Sequence, residues 1–161
     1  MCSFKMSYVT AIVLAAGRGS RLKSEIPKPL LKINSKPVMF YCLSVLSKHP
    51  DIRDIVVVVN SGNLKSIISK IRQYRIRKIK DVVLGGRLRQ DSVMNGLRKI
   101  NTLTDLVLIH DAVRPFIDKD IVSSVIREAK KTGAAIVGVP VKPLLKKSKI
   151  KNQKSKIEYH L

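Results

Sequence analysis

The sequence predicts an α/β fold built on a doubly wound, mostly parallel sheet, and two observations carry that expectation. Short apolar runs rich in valine and isoleucine recur at residues 9–16, 55–59, 82–84, 106–110 and 134–139. Longer segments with helical periodicity lie between them, at residues 37–48, 64–73, 92–100 and 119–131. The apolar runs do not alternate with polar residues, as expected of strands covered on both faces. Strand-then-helix units, repeated, place the strands parallel in one sheet. The 161 residues suit one domain with a real core.

The elements carry local signals. Pro37 suits a first helical turn, and Asp118 is a candidate N-cap for the last helix. Gly133 stands where a glycine closing that helix belongs. Composition shifts near Pro140, and seven lysines follow at 142, 146, 147, 149, 151, 154 and 156. The expected organisation is a nucleotide-binding α/β domain over residues 1–141 and a Lys-rich basic arm over residues 142–161.

Charge narrows the partners. Thirty-two Lys and Arg against 11 Asp and Glu give a net charge of +21, which predicts anionic ligands such as nucleotides or phosphorylated substrates. Nucleic acid is not the expected primary partner, because the chain holds no set of stacking aromatics and no recognised binding module. Two cysteines, Cys2 and Cys42, with no CxxC, argue against a disulfide framework or zinc site and favour a reducing cytoplasm. Lys5 followed by the apolar run 8–16 has the outline of a signal peptide. The run leads straight into Gly17-Arg18-Gly19-Ser20-Arg21, however, and reads better as a strand entering a phosphate loop. No run approaches the ~20 apolar residues a membrane span needs.

Four segments at strand ends are candidates for chemistry. Ala15-Ala16-Gly17 opens a loop of small residues whose backbone N–H groups can approach phosphate oxygens, and Arg18 and Arg21 add charge. A dinucleotide fingerprint matches poorly, since Leu22 stands at its third glycine and no carboxylate follows Val59. Pro27-Lys28-Pro29 holds Lys28 in a stiff frame, where a fixed ammonium can neutralise phosphate charge. Gly85-Gly86-Arg87-Leu88-Arg89-Gln90-Asp91-Ser92-Val93 reads either as a turn capped by Asp91 or Ser92, or as a loop that reads a nucleobase edge. His110-Asp111-Ala112-Val113-Arg114-Pro115 offers Asp111 as a Mg²⁺ ligand and Arg114 as a phosphate fork; an Asp111–Arg114 ion pair is the competing reading. His110 reads as a packed strand residue.

Taken in order, these motifs resemble the cytidylyltransferase family that acts on 2-C-methyl-D-erythritol 4-phosphate. The resemblance runs from about Tyr8 to about Pro140. It implies a nucleotidyltransferase fold of Rossmann-like type, with CTP and a polyol phosphate as substrates, Mg²⁺ as cofactor, and a homodimer. By that resemblance Arg21 and Lys28 are catalytic and stabilise charge on the reacting phosphate. Ala15, Ala16, Gly17, Gly86 and Ser92 hold the nucleotide, Arg114 meets the substrate phosphate, and Asp111 binds the metal. The nearest rival is ribitol 5-phosphate cytidylyltransferase, which shares the His-Asp-Ala-x-Arg-Pro motif; Ala15-Ala16-Gly17 and Asp91-Ser92-Val93 favour the methylerythritol enzyme.

The match departs from the family after Pro140. Pro143 and Leu144 stand where members usually carry Asp and Thr, and the family's later segments, with a second metal carboxylate, have no counterpart here. The chain therefore reads as C-terminally truncated. These 161 residues alone are expected to bind CTP weakly, turn over slowly, and not to behave as a monomer.

Overall fold

In the computed structural model, residues 7–17 and 26–138 are described. The glycine-loop residues Arg18–Arg21 and everything from Val139 onward, including the Lys-rich arm with Pro143 and Leu144, lie outside them.

The central sheet has four strands: β1 (Val9–Ala15), β4 (Ile52–Val59), β5 (Ile79–Leu84) and β6 (Leu106–Asp111). Their order is β5-β4-β1-β6, and every pairing is parallel. The chain steps outward from β1 to β4 and β5, then returns to place β6 on the other side of β1. That reversal opens a crevice beyond the carboxyl ends of the strands, where open α/β sheets place their ligands.

Alternation along the strands sorts the core onto two faces. Val9, Ala11, Val13 and Ala15 of β1 join Ile55, Val57 and Val59 of β4 in one cluster. That face is covered by α1 (Met39–Lys48), α2 (Leu64–Gln73) and α4 (Lys119–Thr132), through Phe40, Leu43, Ile67, Val122 and Ile126 among others. Ile12, Val56 and Val58 point the other way, toward Leu97 of α3 (Arg89–Leu97). Helices on both faces make the sheet doubly wound. Gly96 lets α3 sit close to the sheet, since a Cβ there would lie 2.8 Å from Ile12 Cγ2.

Several elements differ from the sequence expectation. Pro37 does not begin a helix. Lys36–Pro37 forms β3, which pairs antiparallel with β2 (Lys32–Ile33). Asn34 and Ser35 between them both have positive φ, 46° and 62°, the conformation that a two-residue hairpin turn demands. Helix α3 starts three residues before the predicted Ser92 and stops at Leu97 rather than Ile100. Neither Asp91 nor Ser92 is its N-cap. Leu88 holds that position, and Asp91 acts from inside the first turn, its carboxylate accepting the Leu88 N–H at 2.9 Å. At α4 the expected signals hold: the Asp118 side chain accepts from Ile121 N–H at 2.7 Å, and Gly133 closes the helix at φ 86°.

The fifth strand expected at 134–139 does not form in its described part. Residues 134–138 have no regular structure, and Ile136 is 91% exposed. The apolar run has the propensity for a strand, but no described strand pairs with β6 on its outer edge. Propensity without a ladder partner does not make a strand.

Burial tunes one histidine. His49 is fully enclosed after α1; its Nε2 lies 3.0 Å from Ser123 Oγ of α4, and Nδ1 accepts the Asp51 N–H at 3.2 Å. Burial lowers its pKa below the usual 6.5. The folded state therefore resists the proton that the unfolded chain accepts, so stability is full above that value and declines as pH falls through and below it. The urea midpoint should drop on acidification from about pH 7 to about pH 5, and His49→Gln should flatten the slope. An unchanged slope in that variant would assign the pH dependence elsewhere.

Candidate functional site

A cleft of about 920 Å³ opens at the carboxyl ends of the strands. It is lined by Ala15, Ala16 and Gly17 at the end of β1, by Lys28, by Gly85, Gly86 and Ser92 between β5 and α3, and by Asp111 and Arg114 after β6. Every site residue predicted within the described part of the chain thus faces one space. Arg21 lies outside the described residues.

The glycine loop is built by close approach. Gly85 N–H donates to the Val59 carbonyl at 2.8 Å, tying the loop to the end of β4. A Cβ on Gly85 would lie 2.4 Å from Ala16 Cβ and 2.7 Å from Ser92 Oγ. A Cβ on Gly86 would lie 2.2 Å from Asp91 Cβ. Glycine is therefore the only residue that fits either position without a shift of its neighbours. Ser92 is buried, and its hydroxyl closes the loop: it accepts the Gly86 N–H at 3.2 Å and donates to the Leu88 carbonyl at 3.3 Å. The sequence reading offered that hydroxyl to a base edge. In the structure it shapes the loop from within, bonded to Gly86 and Leu88.

Lys28 begins a short 3-10 turn, Lys28–Leu30, entered through Pro27 and held by buried Pro29. The Leu30 N–H to Pro27 carbonyl bond, at 2.8 Å, pins it. Among the described residues no carboxylate lies within ion-pair distance of Lys28, so its charge is directed at the cleft.

Asp111 ends β6 and is the cleft's one carboxylate among the described lining residues. Arg89 Nη2 contacts its Oδ1 at 3.1 Å, and Arg114 Nε contacts its Oδ2 at 3.3 Å. The Asp111–Arg114 pair anticipated as the competing reading is therefore present. It does not remove the cleft's positive character, since Lys28, Arg87, Arg89 and Arg114 stand against one negative charge. His110 donates from Nε2 to the Arg114 carbonyl at 3.0 Å, which folds the loop after β6 back on itself. Burial lowers the pKa of His110 and favours this neutral donor.

The sequence reading missed Arg89 as a partner of Asp111. The only signal was its place in the Gly85–Val93 run; the contact depends on α3 beginning at Arg89. Asn60 and Ser61 after β4 also line the cleft and were not singled out. Cys42 is no nucleophile: it is buried in α1, and burial pushes its thiol up to about 12.

Residues 9–157 match the family model described as IspD: 2-C-methyl-D-erythritol 4-phosphate cytidylyltransferase. The chain belongs to this family. A 2-C-methyl-D-erythritol 4-phosphate cytidylyltransferase from Clostridium botulinum (strain Langeland) is 43% identical over 149 residues, covering 92% of this chain and 64% of that protein. A ribitol-5-phosphate cytidylyltransferase from Lacticaseibacillus paracasei is more distant, at 37% over 135 residues, covering 82% of this chain and 58% of that protein. Among solved structures, a 4-diphosphocytidyl-2C-methyl-D-erythritol synthase from Anaerococcus prevotii superposes with a TM-score of 0.67 at 27% identity, covering 78% of this chain and 52% of that one. The chain spans less than two thirds of the length of the curated relatives it matches. The family is named for a cytidylyltransferase, an activity of the nucleotidyltransferase class. No helix among the described residues is long and apolar enough to cross a membrane.

Proposed function

We propose that the cleft binds CTP and transfers its cytidylyl group to 2-C-methyl-D-erythritol 4-phosphate. A phosphate oxygen of the polyol phosphate attacks the α-phosphorus of CTP. The bond from that phosphorus to the β-phosphate bridging oxygen breaks, and diphosphate leaves with the electron pair. Such chemistry needs positioning and charge stabilisation, not a protein nucleophile. The observation that carries the reading is the shared cleft: a loop that admits only small residues stands opposite Lys28, Asp111 and Arg114.

The roles follow the charges. Lys28, with Arg21, offsets negative charge growing on the reacting phosphate. Ala15, Ala16, Gly17, Gly86 and Ser92 shape the nucleotide pocket, with cytosine against the glycine loop. Arg114 meets the phosphate of the polyol. Mg²⁺ belongs to this reading as the ion that accompanies the triphosphate. Asp111 fits it as a hard oxygen donor, with phosphate oxygens and water completing octahedral ligation. One carboxylate alone would not retain the ion without the nucleotide, and no group of three His, Cys, Asp or Glu side chains able to hold a metal occurs among the described residues.

A homodimer in the cytoplasm completes the proposal. It is supported by family membership and by the exposed apolar residues Phe116, Ile136 and Val137 beside β6. Ribitol 5-phosphate is the second reading, favoured by the 37% identical relative.

The test is diphosphate release from CTP with protein in excess, so that even slow transfer registers. Methylerythritol phosphate and ribitol phosphate are supplied in parallel. Release with the first and not the second is expected. Release with ribitol phosphate alone would reassign the acceptor, and release with neither would refute catalysis by this chain.

A further inference from the structure

We propose that the outer face of α2 and the turn after it bind the sugar–phosphate backbone of a nucleic acid without reading its bases. The proposal is independent of the cleft and its reading.

The stretch from Lys65 to Lys80 holds Lys65, Lys70, Arg72, Arg75, Arg77, Lys78 and Lys80 and no acidic residue. Two of these cations are committed. Lys78 donates from Nζ to the carbonyls of His49 at 2.7 Å and Ile52 at 2.8 Å, and Lys80 stands 3.9 Å from Asp54. The other five have no carboxylate within ion-pair distance among the described residues. Lys65, Arg72, Arg75 and Arg77 are exposed.

The patch is held in shape. Ile67 of α2 is fully buried, with Leu64, Ile71 and Tyr74 packed around it, so the helix shows its polar side to solvent. The turn after the helix is hydrogen-bonded throughout: Tyr74 N–H to Lys70 O at 2.8 Å, Arg75 N–H to Arg72 O at 3.0 Å, and Ile76 N–H to Ile71 O at 3.2 Å. Arg75 and Lys78 sit at positive φ, 49° and 63°, a conformation that is unfavourable for side chains other than glycine and needs such support. Ile76 packs inward against the core between exposed Arg75 and Arg77, and Lys78 then ties the turn to the end of α1 and the start of β4. The helix dipole accounts for Lys70 and Arg72 in the last turn. It gives no reason for the exposed arginines carried by the turn beyond the helix.

The chemistry of the patch selects its partner. Three of the five cations are arginines, whose planar forks match phosphate. Exposed Ser66, Ser69 and Gln73 add hydrogen-bonding groups on the same helix. No large hydrophobic residue between 61 and 83 is exposed, so the patch offers a lipid bilayer nothing to insert. No aromatic ring is displayed for base stacking either; Tyr74 is packed against Phe40, with ring centroids 4.7 Å apart. What remains is recognition of regularly spaced phosphodiesters, which positions a chain without reading its sequence.

The test follows binding of a fluorescent oligothymidylate by anisotropy across a salt series, using the whole chain. Each lost phosphate contact on a single strand lowers the slope of log K against log salt by about 0.7. Arg72→Gln/Arg75→Gln/Arg77→Gln should lower it by about 2.1, and Lys65→Gln/Lys70→Gln by about 1.4. Lys146→Gln/Lys147→Gln/Lys149→Gln should leave the arginine effect in place. Should the arginine variant fail to fold, the Lys65/Lys70 pair on α2 decides alone. Slopes unchanged by both patch variants would overturn the proposal. So would phosphatidylglycerol vesicles binding through these arginines more tightly than the oligonucleotide, which would make the patch a lipid surface.

Discussion

Replacing Lys28 with alanine should slow cytidylyl transfer by about 100- to 1000-fold in a single turnover, while CTP affinity changes by only a fewfold. The asymmetry comes from the geometry of the site. Lys28 sits on a turn whose backbone is fixed by Pro27 and Pro29, so its side chain starts from a set position on the wall of the cleft. Among the described residues it pairs with no carboxylate. A preorganised charge of this kind acts where new charge appears, on the phosphate passing from CTP to the acceptor. A flexible surface lysine would contribute comparably to ground-state and transition-state binding. Equal losses in affinity and rate would show that Lys28 merely attracts phosphate.

Gly85→Ala should abolish most nucleotide binding, with CTP affinity falling at least about tenfold and fold stability by about 1–3 kcal/mol. The added methyl would stand 2.4 Å from Ala16 Cβ and 2.7 Å from Ser92 Oγ, and neither neighbour has room to retreat. Ala16 continues β1, and the Ser92 hydroxyl is bonded to Gly86 N–H and the Leu88 carbonyl. The loop would have to lift away from the strand ends, opening the pocket in which the base is proposed to lie. Gly138→Ala is the natural control, because a Cβ at Gly138 meets nothing within 4 Å and the residue does not line the cleft. Equal CTP affinity in the Gly85 variant and the unsubstituted chain, measured by calorimetry, would remove the glycine loop from the nucleotide site.

The legible features were those written in single segments. Valine- and isoleucine-rich runs without alternation announced strands buried on both faces; β1 and β4 are such strands, while β5 and β6, outermost of the described strands, are only partly buried. Asp118 and Gly133 marked the ends of α4 because capping is a local backbone need. The glycine pair at 85 and 86 stood out for the same reason. What depended on two segments meeting was not legible. Arg89 reaches Asp111 only once the start of α3 and the end of β6 meet at the cleft. The capping of α3 was misassigned because Asp91 serves from inside the helix while Leu88, no capping type, holds the N-cap position. The β2–β3 hairpin escaped notice because its strands have two residues each and show no pattern. Asn34-Ser35 was its only trace. The run at 134–138 is apolar enough for a strand, yet its described residues pair with nothing, a fact about partners and not about composition.

The most direct test of the cleft as a cytidine nucleotide site is calorimetric titration of the chain with CTP, UTP, ATP and GTP in the presence of Mg²⁺. Moderate salt screens the general attraction of a chain with a net charge of +21 for any triphosphate. A loop that reads the base with fixed backbone groups should bind CTP at least about tenfold more tightly than each of the others, a difference near 1.4 kcal/mol. Four indistinguishable affinities would reduce the cleft to a basic phosphate-binding surface and contradict the account.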